Sequence, residues 1–252
     1  MKPRHENLIN ILREKGELDI DTLVKLLDAS PATVRRDLTN LEAEGKLIRT
    51  FGGAKLTAEL SLVVRTFEEK RKVMRAEKER IAQKAAAMVK PGMVIAIDSG
   101  STAWRLAAAL KDKAPLTILT PALAVIEELG SVPGISINLT GGRFRLKNLD
   151  FVGQAATCAF DNLHADIAFL SADSLIPEKG IYSLDQDSAF IGAAVGRCAN
   201  QRVVMLDHSK IDSRGCYQII PSEQLNCVIL SDGLTPEQKK RLQDAPFESS
   251  IA

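Results

Sequence analysis

Apolar residues recur in two rhythms along this chain of 252 residues. In the first 55 or so they fall at helical spacing. Leu8, Ile9, Ile11 and Leu12 line one face of a segment from Arg4 to Glu14, which Gly16 closes. Asp19 can cap a second short helix carrying Leu23, Leu26 and Leu27. Ser30 caps a third, and Pro31 suits its first turn, where a missing N–H costs nothing. Val34, Leu38 and Leu41 mark the buried face of that helix, and Gly45 ends it. Leu47 and Ile48, followed by Gly52-Gly53, predict two short strands around a tight turn. Three helices and a hairpin in this order predict a winged helix-turn-helix, mainly α with a β-hairpin wing, over residues 1–56.

From Met93 the rhythm becomes short apolar runs alternating with helical segments. The runs are Met93–Ile97, Leu116–Leu119, Ile135–Leu139, Ile167–Leu170, Val203–Leu206 and Val228–Leu230. Helices are predicted at Thr102–Leu110, Ala122–Leu129, Gly153–Phe160, Asp187–Ala199 and Pro236–Gln243. The alternation predicts an α/β domain with a mainly parallel sheet over residues 78–252. Between the domains, residues 57–77 read as a linker dense in charges of both signs. It leads into a helix with Ile81, Ala82, Ala85, Ala86 and Val89 on one face, stopped by Pro91-Gly92.

Two places carry candidate chemistry. Arg35 and Arg36 point away from the apolar stripe of the third helix, with Pro31, Ala32 and Thr33 beside them at its start. The DNA major groove accepts such a helix, and Arg49 and Lys55 of the wing are placed to reach phosphates. A solvated charged face is the other meaning of the same two arginines. The second place is the carboxyl end of the parallel sheet, where ligands of such folds collect. Asp98-Ser99-Gly100-Ser101-Thr102 joins a strand to a helix start, a backbone cradle for an anion or simply a cap. Gly141 and Gly142, with Arg145, form either a phosphate-approaching loop or a plain one. Lys210, Asp173, Asp185 and Asp187 also follow strands, and carboxylates beside a lysine can serve acid–base chemistry.

Charge adds a constraint. The formal net charge is +1, and residues 1–55 carry ten Lys and Arg against nine Asp and Glu. Nucleic-acid binding must therefore rest on where a few cations sit. Cys158, Cys198, Cys216 and Cys227 form no C-x-x-C pair, and only three histidines are present, so no metal site is expected and free buried thiols are. No apolar run approaches the ~18 residues of a membrane span, and a cytoplasmic protein is the expectation.

The chain resembles the DeoR family of bacterial transcription regulators. Arg4, Leu8 and Leu12, then Ser30, Thr33, Val34, Arg35, Arg36, Asp37 and Leu38 carry the likeness, as does the wing sequence RTFGGA from Arg49 to Ala54. It continues, with altered spacing, at Phe67, Arg71, Lys78, Ile81 and Ala82. Further on it includes Gly100 to Thr102, Gly141-Gly142, Asp166 to Asp173, Asp207, Ser209, Lys210 and Ser231-Asp232, so nearly the whole chain is covered. The resemblance implies a repressor of a carbohydrate-utilisation operon, without catalysis or cofactor, whose partner is operator DNA. It implies a C-terminal domain like ribose-5-phosphate isomerase that senses a phosphorylated sugar or related metabolite, and a homodimer or homotetramer. The implied effector residues are Asp98, Ser99, Gly100, Ser101, Thr102, Gly141, Gly142, Arg145, Asp173, Asp185 and Lys210. Four positions depart from the family pattern around that pocket: Pro121, Ser174, Ser188 and Gly192 stand for the usual Asn, Gly, Glu and basic residue. A sugar-phosphate isomerase carrying a DNA-binding domain is the alternative the same likeness leaves open.

Overall fold

The computed structural model of the chain describes residues 3–57 and 66–252. Contacts divide it into two compact units, Met1–Val64 and Arg65–Ala252. The first runs α1 (Pro3–Lys15), β1 (Leu18–Asp19), α2 (Ile20–Leu27), α3 (Pro31–Ala43), β2 (Leu47–Thr50) and β3 (Gly53–Leu56). Asp19 accepts the Thr22 N–H at 2.7 Å and Ser30 accepts the Thr33 N–H at 3.3 Å, so both expected caps form. Gly45 takes φ +68° to close α3 while the Lys46 N–H bonds the Leu41 carbonyl at 2.9 Å, a turn that a side chain would strain. Leu8, Leu12, Leu23, Val34, Leu38 and Leu41 are fully buried and pack with Leu47, Ala54 and Leu56 of the wing.

One buried carboxylate ties this unit together. Asp37 of α3 accepts hydrogen bonds from Arg4 Nε at 2.5 Å and Arg4 Nη2 at 3.1 Å, with His5 Nε2 at 3.1 Å. The Arg4 bonds hold its carboxyl below the usual range although burial opposes them. The hairpin also gains a strand that the sequence did not announce: β1 pairs antiparallel with β3, giving the order β1-β3-β2.

The expected linker over 57–77 is described in part. Residues 58–65 lie outside the described residues, and the rest forms α4 (Phe67–Lys72) and the start of α5 (Arg75–Ala86), two helices within the second unit. Met74 in the left-handed region, φ +50°, separates them. Thr66 starts α4 with a reciprocal capping box: it accepts the Glu69 N–H while Glu69 accepts the Thr66 N–H. The segment is docked rather than solvated. Phe67 is buried edge-on against Trp104, with ring centres 6.2 Å apart, and Arg71 lies 5.0 Å from the same indole.

The main sheet is parallel throughout, in the order β15-β14-β12-β9-β4-β5-β6. Its strands are β4 (Val94–Ile97), β5 (Leu116–Thr120), β6 (Ile135–Leu139), β9 (Ala165–Leu170), β12 (Ala199–Leu206), β14 (Cys227–Leu230) and β15 (Glu248–Ile251). Between them lie α6 (Ser101–Ala109), α7 (Leu123–Leu129), the antiparallel ribbon β7 (Arg143–Arg145) and β8 (Asp150–Val152), and α8 (Gln154–Cys158). Then come β10 (Ser174–Ile176), β11 (Gly180–Ser183), α9 (Gln186–Arg197), β13 (Tyr217–Pro221) and α10 (Pro236–Gln243). Alternate strand residues serve opposite cores. Ile95, Ile97, Phe169, Val203 and Met205 pack with α5, α6 and α7, while Ala96, Ala168, Leu170, Val204 and Leu206 pack with α9. Burial on both faces is why these strands read as unbroken apolar runs.

The expected α/β class with a mainly parallel sheet is therefore what the chain adopts. The differences are additions: β15, the ribbon β7–β8, and a second antiparallel sheet ordered β10-β11-β13. The helix expected over Gly153–Phe160 is shorter, Gln154–Cys158. The thiols also differ from expectation, since Cys158 and Cys216 are exposed and only Cys198 and Cys227 are buried. No group of residues that could hold a metal ion occurs among the described residues, and no described helix is long and apolar enough to cross a membrane.

Candidate functional site

The first unit presents one helix face to solvent. With Val34, Leu38 and Leu41 committed to the core, Pro31, Ala32, Arg35, Arg36, Thr39 and Asn40 of α3 are exposed and Thr33 is half-buried. The Arg35 and Arg36 side chains have no hydrogen-bond or ion-pair partner among the described residues. Arg49 is also exposed, but it leans on α3: its Nη1 is 3.4 Å from Thr39 Oγ1, and its backbone N–H donates to Glu42 Oε1 at 3.2 Å. Those bonds fix the wing's angle to the helix. Lys55 is exposed opposite Ile48 on the other strand of the hairpin. The sequence offered Arg49 as a phosphate ligand and did not show that it also braces the wing.

The second unit gathers polar side chains at the carboxyl ends of β4, β9 and β12. Asp98, directly after β4, is 5% exposed and accepts the Ser171 N–H at 3.1 Å. Burial pushes its carboxyl up to about 7, with backbone N–H groups of Ser99 and Ser171 opposing and Asp150 adding to the rise. Gly100, at φ +128°, precedes α6, and Ser101 and Thr102 are buried in its first turn. The Ser171 Oγ, close to Gly100, is buried with no hydrogen-bond partner among the described residues. Its place directly after β9 was the signal that would have singled it out.

Asp173 lies two residues further on. It accepts bonds from Lys70 Nζ at 3.1 Å, Ser183 Oγ at 3.1 Å and the Leu184 N–H at 3.0 Å. Burial alone would raise its carboxyl, but Lys70 and Lys210 hold it at about 2. Lys210 thus shares Asp173 with Lys70, a lysine of the connecting segment absent from the expected site. The charge of Lys70 is felt at Asp98 as well. Behind it, Lys78 Nζ is buried, donating to the Lys70 and Val73 carbonyls at 2.8 and 2.9 Å, with Asp207 4.0 Å away.

Arg145 is placed otherwise than its sequence suggests. The sequence left it either pairing with a phosphate or lying in a plain loop, and it is held by carboxylates: Asp150 through Nε at 2.9 Å and Nη2 at 2.7 Å, and Asp185 through Nη1 at 2.5 Å. Ser188 Oγ completes the set at 2.9 Å. Burial works to lower its pKa, and the two carboxylates outweigh that and raise it. Asp150 also accepts Ser99 Oγ at 3.0 Å, which joins the Asp98 loop to the Arg145 cluster. Asp185 doubles as the N-cap of α9, accepting the Ser188 N–H at 2.8 Å. The glycine pair is explained in part: a Cβ on Gly142 would lie 2.8 Å from the Val152 carbonyl, whereas Gly141 faces open space.

The four departures from the family pattern have local structural partners. Ser188 binds Arg145, and Ser174 Oγ donates to the Ser213 carbonyl at 2.5 Å. The Pro121 carbonyl accepts the Phe151 N–H at 2.9 Å. Gly192 lets α9 approach β13, since a Cβ there would sit 2.8 Å from Ile219 Cγ2. A surface hollow of about 500 Å³ between α8 and α9, lined by Gln154, Thr157, Asp187, Phe190 and Arg197 among others, holds the candidate Asp187 but none of the effector residues that the family likeness implies.

Known proteins share both halves of this arrangement. The DeoR-like helix-turn-helix domain matches residues 4–59, and the DeoR C terminal sensor domain matches residues 73–232. The HTH-type transcriptional repressor CsqR of Escherichia coli K12 is 31% identical, over 98% of this chain and 94% of that protein. The HTH-type transcriptional regulator GolR of Listeria innocua is 30% identical over 99% of this chain and 98% of its own. The lactose phosphotransferase system repressor of Lactococcus lactis is 29% identical over 94% and 93%. Among solved structures, ribose 5-phosphate isomerase A from Methanocaldococcus jannaschii aligns with a TM-score of 0.39 at 21% identity, over 54% of each chain.

Proposed function

The chain belongs to the DeoR family of transcription regulators, and from that premise we propose that it represses a carbohydrate-utilisation operon under the control of a phosphorylated sugar or related metabolite. One observation carries the DNA half: two arginines, without a partner among the described residues, on the outer face of a capped helix whose inner face is fully buried. Packing fixes such a helix, so its arginines meet DNA without first breaking ion pairs. A homodimer or homotetramer would set two copies of α3 in successive major grooves, about 34 Å apart.

The effector half rests on the cluster around Asp98, Ser99 to Thr102, Asp173 and Lys210. Backbone N–H groups at the start of α6 suit an anion, and the Asp98 carboxyl suits a sugar hydroxyl. Lys70 supports a route from ligand to DNA. It lies on the first described helix after residue 65 and is held by Asp173. An anion arriving there would compete with Asp173 for Lys70 and Lys210, so ligand binding and the docking of α4 are linked. A carboxylate held at about 2 is a weak proton acceptor near neutral pH, so Asp173 is poorly suited to act as a base. The DNA unit and the sensor would then span 1–56 and 78–252 as the sequence suggests, with the connector over 57–77 ending in helices docked on the sensor.

Selection of duplexes from a random-sequence library by the full-length protein tests this reading. It expects enrichment of a two-half-site sequence, and release or tightening when a sugar phosphate that raises the melting temperature is added. Failure to enrich any sequence would overturn the DNA half. Conversion of the bound sugar phosphate to an isomer would overturn the sensor half.

A further inference from the structure

Phe51 is wholly exposed at the tip of the wing. The turn Thr50-Phe51-Gly52-Gly53 has Thr50 paired with Gly53, and Gly52 carries the positive φ of +84° that such a turn needs. The tip is not free to fold back and bury the ring. The Gly52 carbonyl accepts the Ile20 N–H at 2.9 Å, and a Cβ on Gly53 would lie 2.1 Å from the Leu18 carbonyl oxygen, so the turn is clamped against β1. Arg49 braces the same hairpin on α3 through Thr39 and Glu42. A large aromatic side chain is thus held out into solvent on a rigid support, one residue from the hairpin strand that bears Arg49. Of the two nearby carboxylates, Glu44 is paired with Lys46 at the far end of the hairpin, and Glu42 is taken up by the Arg49 N–H. Toward the tip, Arg49 and Lys55 are exposed cations, which suits a polyanion and not an apolar protein surface.

We propose that Phe51 is a specificity residue for DNA: an apolar wedge that the wing sets into the minor groove beside the major-groove segment read by α3. The inference rests on the DNA-binding reading above and goes beyond it, because Phe51 carries no charge and reads no base edge. A wedge partly unstacks one base step, and pyrimidine–purine steps yield most easily. The wing therefore selects a deformable step at a position that no arginine touches.

The test uses the duplex selected by the full-length wild-type protein, titrated by fluorescence anisotropy at several salt concentrations. Phe51→Ala weakens binding about tenfold, in line with the loss of one aromatic–base contact. Its log K against log[salt] slope stays that of wild type, whereas Lys55→Ala lowers the slope by about one. Phe51→Tyr keeps most of the affinity. A 2-aminopurine at the step under the wing brightens with wild type and stays quenched with Phe51→Ala. Melting temperatures of wild type and Phe51→Ala coincide, because the ring is wholly exposed among the described residues. Phe51→Ala binding as tightly as wild type overturns the inference alone. A lowered melting temperature or altered subunit assembly of that variant also overturns it, by giving the ring a structural role. A wild-type protein that selects no duplex overturns the DNA-binding reading and this inference with it.

Discussion

Two sets of arginines in this chain have opposite fates. Arg35 and Arg36 project from α3 with no partner among the described residues, on a helix whose other face is locked in a core. Arg145 of β7 is enclosed by Asp150, Asp185 and Ser188. An arginine that is already neutralised must give up those bonds before it can meet a phosphate, whereas an exposed one gives up only water. The difference suits the first pair to the proposed recognition of DNA, while Arg145 joins the ribbon β7–β8 to the start of α9.

Removing the enclosed arginine should show the largest effect on stability. Arg145→Ala leaves Asp150 buried without its cation, and we expect a loss of about 3 kcal/mol in denaturant unfolding of the second unit. Arg145→Lys should recover little, since a point charge cannot replace a fork bonded to three side chains. A variant as stable as wild type would erase the contrast between the two sets. A smaller loss, about 2 kcal/mol, is expected for Asp37→Ala in the first unit, where Arg4 and His5 would lose their shared acceptor. The Asp37 carboxyl is depressed, so its contribution is present above the usual carboxylate pKa and disappears as pH falls through the lower folded value. Thermal melts of wild type should therefore approach those of Asp37→Ala at acid pH.

Asp98 titrates with the opposite sign. Its folded value of about 7 lies above the unfolded one, so the folded state holds the extra proton between the two and loses stability as pH rises through that window. Asp98→Asn keeps an acceptor for the Ser171 N–H. It should raise the melting temperature by a few degrees at pH 8 and change it little at pH 4, the equivalent of about 1 kcal/mol. An equal shift at both pH values would mean that Asp98 is not held partly protonated by its burial.

How much of this could be read from the chain differs between the same two regions. The helix-turn-helix was legible because its signals are local: Ser30, Asp19, Gly16 and Gly45 mark ends, and the Val34–Leu38–Leu41 stripe marks the face. The six apolar runs were legible because strands covered on both sides leave no room for polar residues. What escaped lies where burial is one-sided or partners are remote. β15 reads Glu-Ser-Ser-Ile at the sheet edge, and β7 reads Arg-Phe-Arg, so neither forms an apolar run. Met74 in a left-handed conformation splits a charged stretch that otherwise reads as one helix. Arg145 meets Asp185 across 40 residues and Lys70 meets Asp173 across 103, distances over which spacing carries no information. The residue types of the candidate effector site were visible, and their pairings were not.

The central claim is that Arg35 and Arg36 of α3 read DNA. Anisotropy titration of the selected duplex with wild type, Arg35→Ala and Arg36→Ala tests it most directly. At least one variant should lose about 1–3 kcal/mol of binding, roughly 5- to 150-fold, with relaxed discrimination at one base pair and an unchanged melting temperature. Both variants binding as tightly and as selectively as wild type would contradict the claim.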